Sequence, residues 1–246
     1  MRHIYVAVPS YSSAVLMPTC LALVQAVTEV LPLGWRFTLQ MVGGDADIAR
    51  ARNALLAMFL ATDATDLVFI DADISWHPGD FVKLMEHGAD FLAAVYRQRR
   101  DDEIVYPYIP TPGKKAEADP KSGKTLIQAD FVPGGFWRLS RACIERMVAG
   151  RDTIKYFDPT MPNLGEIPWV FDFERQEGGG RLSEDFVFCK KWRDMGGLIW
   201  VDPTPSIDHT GLKTFEGNLG VHLLKQFTDV MKDASPIERV KMALAT

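Results

Sequence analysis

Residues 67–73 read Leu67-Val68-Phe69-Ile70-Asp71-Ala72-Asp73, an apolar run that ends in two carboxylates one residue apart. Four consecutive apolar residues without polar alternation suit a strand buried on both faces. The segments on either side repeat the theme. Ile4 to Val8, Phe37 to Val42 and Phe91 to Val95 read as further strands. Helical stretches separate them: about Val15 to Val30, about Asp45 to Leu60, and a short helix opened by Pro78 that runs through Phe81, Leu84 and Met85. Proline suits a first helical position because its missing N–H is not needed there. Strands that alternate with helices predict an α/β fold with a mostly parallel sheet and helices on both faces.

The second half has a different texture. Arg97 to Gln128 is charged and rich in Pro, Gly and Lys around a strand-like Ile104 to Ile109, which predicts an exposed excursion or hairpin. Phe136 to Leu139 returns to strand character, and Ser140 is placed to cap a helix to about Val148. Residues 151 to 182 carry Pro159, Pro162, Pro168 and Gly178-Gly179-Gly180 and read as a long loop of the kind kept for binding. A helix from Ser183 to about Met195, a strand Leu198 to Val201 and a helical tail broken by Pro236 complete the chain. No internal repeat is evident. The expectation is a single domain with a first half of about 1–97, a second of about 98–217 and a tail of 218–246.

The 246 residues carry 27 Lys+Arg against 32 Asp+Glu, a net charge of −5 that argues against broad electrostatic binding of nucleic acid. No stretch approaches ~20 uninterrupted apolar residues, so no transmembrane helix is expected. The N-terminus has a short apolar run without a small-residue cleavage site and reads as a first strand. Cys20, Cys143 and Cys189 are too few and too scattered for a disulfide framework or a cysteine zinc site, and suit a reducing cytoplasm.

Five sets of residues carry candidate chemistry. Asp71 and Asp73 leave a strand at its carboxyl end, where open α/β sheets bind ligands, and can hold a hard divalent ion shared with a diphosphate; acids at a strand end also simply solvate a turn. Arg52 falls inside the Ile48–Leu55–Phe59 stripe of its helix, so its charge needs a partner. That partner is a ligand in the crevice, with Asn53 adding amide hydrogen bonds, or a structural ion pair such as Arg52–Asp71. Asp185 tops the apolar stripe Asp185–Cys189–Trp192, where a carboxylate at a crevice rim can accept a proton; Glu184 and Asp185 in a first turn also suit the helix dipole. His209 sits in a loop, and a mixed carboxylate–imidazole set suits Mn²⁺ better than Ca²⁺. His3, His77, His87 and His222 read as ordinary polar residues. Pro133-Gly134-Gly135-Phe136-Trp137 combines glycines that allow close backbone approach with aromatics suited to sugar faces or to core packing.

Taken in order, Pro9-Ser10-Tyr11, Arg52-Asn53, Asp71-Ala72-Asp73, Gly134-Gly135-Phe136, Glu184-Asp185 and His209 resemble the GT-A-fold (Rossmann-like) glycosyltransferases. The chain is similar to their compact bacterial and phage-encoded branch, over roughly residues 4 to 217. The resemblance implies transfer of a sugar from a nucleotide-sugar donor, UDP-sugar above others, to an acceptor hydroxyl. It assigns the first half to the nucleotide sugar and the second to the acceptor. On that pattern Pro9, Ser10 and Tyr11 line the nucleoside pocket, Arg52 and Asn53 face the donor, and Asp71 and Ala72 meet the ribose or a metal-bound water. Asp73 and His209 bind Mn²⁺ or Mg²⁺, with Asp71 in the same set. Ser183-Glu184-Asp185 matches the family's x-Glu-Asp, whose Asp is the base of inverting members. Gly134, Gly135, Phe136 and Trp137 fall on the acceptor side. The acceptor itself (glycan, small molecule or modified nucleic acid) and the oligomeric state stay open. The basic run Arg97, Arg99, Arg100, Lys114, Lys115, Lys121 and Lys124 is an exposed charged loop or a guide for a phosphate-bearing acceptor.

Two alternatives belong beside this reading. A sugar-1-phosphate nucleotidyltransferase shares the layered fold but calls for a glycine-rich basic loop after the first strand, where this chain has Val8-Pro9-Ser10-Tyr11-Ser12-Ser13. A non-catalytic nucleotide-sugar-binding module calls for the loss of Asp73, Asp185 or His209, and all three are present.

Overall fold

The structure, a computed structural model, describes residues 1–150 and 153–233, the side chains of 230–233 excepted. The first half contains β1 (His3–Ser10), α1 (Met17–Val30), β2 (Arg36–Gly43), α2 (Ile48–Leu60), β3 (Asp66–Ile70), β4 (Ile74–Trp76), α3 (Asp80–Glu86) and β5 (Phe91–Ala93). The chain continues through β6 (Ile109–Pro110), β7 (Glu117–Ala118), β8 (Thr125–Phe131), β9 (Phe136–Ser140), α4 (Arg141–Val148), β10 (Lys155–Phe157) and β11 (Glu166–Pro168). It ends with β12 (Glu174–Arg175), β13 (Arg181–Leu182), α5 (Glu184–Asp194), β14 (Ile199–Val201), β15 (Ile207–Thr210), β16 (Thr214–Phe215) and α6 (Leu219–Asp233). Pro236 lies outside the described residues.

The main sheet runs β2-β1-β3-β9-β5-β14-β8-β6, with β7 also on β8. Strands β1, β2 and β3 pair in parallel, as do β5 and β14. Strand β9 lies antiparallel between β3 and β5, so β2, β1, β3, β5 and β14 share one direction. The sheet is thus mostly parallel, with a reversed strand that simple alternation does not anticipate. Helices cover both faces because strand residues alternate between two cores. Ile4, Val6, Val8, Val68 and Ile70 face α1 and α3, while Tyr5, Ala7, Leu67 and Phe69 face α2, α4 and α5. Each such fully buried large side chain contributes roughly 1.5–3 kcal/mol of hydrophobic stabilisation.

Local signals explain most boundaries. Helix α2 starts at Ile48 rather than near Asp45, because Asp47 is the N-cap and its Oδ1 accepts from the Ala49 and Arg50 amides. Ser140 caps α4 as expected, accepting from the Cys143 amide at 3.0 Å. Helix α3 begins at Asp80, two residues after Pro78, because Gly79 turns the chain with φ of 83°.

Three expectations for the second half need correction. No strand spans Ile104 to Ile109; Pro107 and Pro110 lack the N–H groups a ladder needs, and only Ile109–Pro110 pairs. The 97–128 excursion does hold the expected hairpin, β7–β8, but its second strand runs on to seven residues antiparallel to β14, an extension that the interleaved polar residues Gln128 and Asp130 conceal. The 151–182 loop, within its described residues, holds two hairpins, β10–β11 and β12–β13.

Candidate active site

Strand order reverses around β1: α1 carries the chain to β2 on one side, and α2 returns it to β3 on the other. Such a switch point opens a crevice at the carboxyl ends of the strands. Here Pro9, Ser10, Tyr11, Ala72 and Asp73, together with Asp71 and Ile48, line a cavity of about 310 Å³. The loop after β1 is held in place by Ser10, whose hydroxyl donates to the Ala14 carbonyl, and by the Leu16 amide, which donates to the Ala72 carbonyl at 2.9 Å. Ser13 takes a positive φ of 56° against Gly43, where a Cβ would approach its hydroxyl to 2.8 Å. Tyr11 projects at the rim, 77% exposed.

His209 reaches this crevice through a second, small sheet. Strand β15 pairs antiparallel with β4, setting His209 opposite Ile74, and the Thr210 amide donates to the Asp73 carbonyl at 2.9 Å. The result is a separation of 3.4 Å between His209 Nε2 and Asp73 Oδ2. The other ring nitrogen, Nδ1, lies 3.1 Å from the Arg97 carbonyl oxygen, which can only accept. Nδ1 therefore carries a proton, and Nε2 is the ring nitrogen turned toward Asp73 and the crevice. Tyr96 meets the same ring edge-on, with centroids 4.9 Å apart.

Arg52 is 2% exposed and anchors the acidic side of the site. It donates from Nη2 to Asp71 Oδ1 and from Nη1 to the Gly134 carbonyl, both at 2.9 Å, and Nε lies 3.4 Å from Glu184. Phe69, Trp137 and Phe171 enclose the guanidinium. Burial by itself would lower the Arg52 pKa; the pull of Asp71, Glu184 and Asp185 outweighs it and raises the value. For Asp71, burial pushes the pKa up and Arg52 opposes it, while Asp73 and Asp185 add to the rise. Glu184 is likewise raised, by burial first and Asp185 after it, against Arg52. Arginine and acids shift upward together because one guanidinium answers several carboxylates. The crevice carries a surplus of negative charge.

Asp185, at the start of α5, lies near enough for its charge to act on Arg52 and Asp71, and it has its own fixed donors. Oδ2 accepts from the Gly134 amide at 3.0 Å, and Oδ1 accepts from the Ser183 hydroxyl and the Phe186 amide. Ser183 is the α5 N-cap residue, but its hydroxyl serves Asp185 and makes no cap bond.

Where the sequence leaves two roles open, the structure favours the structural one, including the Arg52–Asp71 ion pair and core packing at 136–137, and it corrects the ligand-facing roles. Arg52 and Asn53 do not open onto a ligand: Arg52 is enclosed, and Asn53 clamps the 170–171 backbone, accepting from Val170 and Phe171 amides and donating to the Phe171 carbonyl. Gly134 and Gly135 make room for protein groups rather than for an acceptor; a Cβ would come within 2.8 Å of Arg52 and 2.5 Å of Tyr96. Phe136 and Trp137 are core residues on opposite faces of the sheet. Glu184 is buried against Arg52, so the helix dipole is not its main partner. His87 is fully enclosed, its ring between Asp202 at 2.8 Å and Ser122 at 2.9 Å. His3 is buried too, bonded to Asp63 and Thr38.

Two residues at the crevice escape the sequence reading. Tyr96 ends an apolar run and reads as core. Arg99 appears only within a basic run, yet donates to Asp73 Oδ2 at 3.0 Å. The available signal is position, since both follow β5 at the edge where Asp71 and Asp73 follow β3.

The donor set admits a divalent ion. Asp73 Oδ2 and His209 Nε2 at 3.4 Å have the spacing of neighbouring ligands on one octahedral cation, and two protein ligands leave positions for phosphate oxygens and water. Asp71 is engaged by Arg52, and among the described residues no group of three His, Cys, Asp or Glu side chains forms a complete cage. A larger cavity of about 500 Å³ lies at the opposite edge of the sheet, around Gly88–Asp90, Trp192 and Trp200. Its one buried charge, Asp119, is already bonded to the Gly88, Lys121 and Ser122 amides, and none of the expected site residues lines it.

No family model matches the chain, and no curated protein matches it in sequence. Similar solved structures include A197 from STIV, 16% identical over 86% of either chain with a TM-score of 0.49. The inositol-1-phosphate CTP transferase from T. maritima is 10% identical over 82% of this chain and 84% of its own, with a TM-score of 0.40. A glycosyltransferase involved in glycosylation of the major capsid of PBCV-1 is 6% identical over 57% of this chain and 62% of its own, with a TM-score of 0.32. Among the described residues no helix is long and apolar enough to cross a membrane.

Proposed function

We propose that this chain is a metal-dependent glycosyltransferase that moves a sugar from a nucleotide diphosphate donor, UDP-sugar in preference, to an acceptor hydroxyl with inversion. The observation that carries the reading is the meeting of Asp73 and His209, far apart in sequence, at 3.4 Å beside the switch-point cavity. The surplus of carboxylates around Asp71 supports a cation there.

Each residue then has a task. The loop Pro9–Tyr11 and Ala72 hold the nucleoside, with the exposed Tyr11 ring offering a stacking face. Asp73 and His209 hold Mn²⁺ or Mg²⁺, which when bound stabilises the charge gained by the departing diphosphate. Arg52 fixes Asp71 toward the ribose. Asp185 takes the proton from the attacking hydroxyl; its donors orient the carboxylate, and Oδ2, with the Gly134 amide as its one donor, has a lone pair left for that proton. Attack from the face opposite the diphosphate inverts the anomeric carbon.

The test is incubation with a panel of UDP-sugars and Mn²⁺, with donor hydrolysis and transfer followed in the presence and absence of EDTA. EDTA-sensitive hydrolysis or transfer is expected. UDP binding without turnover would make the chain a binding module, and production of nucleotide sugar from UTP and a sugar-1-phosphate would make it a nucleotidyltransferase.

A further inference from the structure

The carboxylate assigned to the metal already has a cation. Arg99 Nη1 donates to Asp73 Oδ2 at 3.0 Å and to the Thr210 carbonyl at 3.1 Å. His209 Nε2 faces that same Oδ2 at 3.4 Å. Arg99 and His209 thus converge on one carboxylate oxygen of Asp73. The backbone leaves space for it: a Cβ on Gly211 would meet Arg99 Cδ at 3.0 Å.

Arg99 is also free to leave. Its side chain is 46% exposed, and an ion pair with that much water around it is weak. It lines a neighbouring cavity of about 430 Å³ with Asp101, Gly211, Leu212, Lys213 and Phe215, so it stands on the wall between that space and Asp73. A divalent ion and a guanidinium cannot share one carboxylate oxygen without strong like-charge repulsion. An ion held between Asp73 Oδ2 and His209 Nε2 therefore competes with Arg99 for that oxygen, and a guanidinium without a carboxylate is suited to a phosphate, which it meets through a bidentate fork.

We propose that Arg99 and the divalent cation exchange on the Asp73–His209 pair, and that the displaced guanidinium binds the donor's diphosphate. The exchange rests on the proposed cation site, and its diphosphate half rests also on the nucleotide-sugar reading. Cation and nucleotide are then positively coupled: the cation alone binds weakly because it evicts Arg99, and the diphosphate restores a partner to the evicted side chain.

The experiment is a Mn²⁺ titration of the full chain, following free Mn²⁺ by electron paramagnetic resonance, for the wild type and Arg99→Gln, with and without UDP. Calorimetry of UDP in EDTA accompanies it. In the absence of nucleotide, Arg99→Gln is expected to bind Mn²⁺ about tenfold more tightly than the wild type, and the gain in Mn²⁺ affinity on adding UDP should shrink toward none, within the range usual for coupled sites. Equal Mn²⁺ affinity in the two proteins overturns the exchange. Failure of both to bind Mn²⁺ overturns it together with the cation assignment. UDP binding in EDTA that disappears in Arg99→Gln makes Arg99 the permanent cation and also overturns the exchange. If neither protein binds UDP, the donor reading and the diphosphate half fall, while the Mn²⁺ comparison still decides the exchange.

Discussion

Arg52 and Asp185 are joined through the backbone of one residue. The guanidinium donates to the Gly134 carbonyl at 2.9 Å, and the Gly134 amide donates to Asp185 Oδ2 at 3.0 Å. The orientation of the proposed base thus depends on a cation buried in a different helix, with Asp71 and Glu184 sharing that cation.

Asp185→Asn keeps the shape and the Gly134 contact but removes the proton acceptor. Turnover is expected to fall at least ~10²-fold while UDP affinity stays near the wild-type value. Steady-state kinetics beside calorimetry checks this, and retained turnover would assign the base to another residue.

Arg52→Ala leaves the buried Glu184 and the half-buried Asp71 without their cation. Breaking a buried pair by removing one partner costs about 3–5 kcal/mol, so a clear drop in Tm is expected in scanning calorimetry. Arg52→Lys should recover only part of it, because one ammonium cannot serve Asp71, Gly134 and Glu184 in the fork geometry. A variant with normal Tm and lost UDP binding would restore the direct ligand contact that the sequence alone suggests.

Asp73→Ala and His209→Ala each remove one of the two proposed cation ligands. Both should abolish the Mn²⁺ dependence of UDP binding in calorimetry. Unchanged dependence in either variant would strike that residue from the set.

Gly135→Ala places a methyl group 2.5 Å from the Tyr96 ring. Overpacking of this kind costs roughly 1–3 kcal/mol, measurable as a shift in the urea midpoint. Gly135→Ala combined with Tyr96→Ala should recover much of the loss.

Asp66 offers a pH signature away from the crevice. Burial alone would raise its pKa, but hydrogen bonds and charge from Arg2 and Arg138 outweigh this and hold it below the ordinary 3.8. A lowered carboxylate stabilises the fold above its unfolded value and loses that contribution as pH falls through the folded one. The Tm difference between wild type and Asp66→Asn should therefore be full at pH 7 and narrow below about 3.8, where Asp66 takes up its proton. A constant difference down to pH 3 would contradict the assignment.

Much of the first half is legible in sequence because buried strands and amphipathic helices leave strong periodic marks. Phe69-Ile70-Asp71 announces a strand that ends in charge, and Asp71 and Asp73 do stand at the crevice. The second half is less legible for identifiable reasons. Glycines beside aromatics look the same whether they approach a ligand or admit Arg52 and Tyr96, so Gly134 to Trp137 gives no sign of which applies. The polar residues within β8 hide a strand with one face packed at Ile127, Ala129 and Phe131 and the other only at Leu126. Arg99 is invisible as a partner of Asp73, since nothing in a run of charges marks the one that folds inward.

The reversed strand β9 has a consequence for how this chain comes into being. Strand β5 belongs to the first half, yet its two sheet neighbours, β9 and β14, are both made later. A ribosome that has released only residues 1–97 holds β5 with no ladder to join. Cut after residue 97, the first half would keep β3 and β5 with an empty strand position between them. Strand β9 fills that position, and Gly134, just before it, reaches the edge where its backbone meets Arg52 and Asp185.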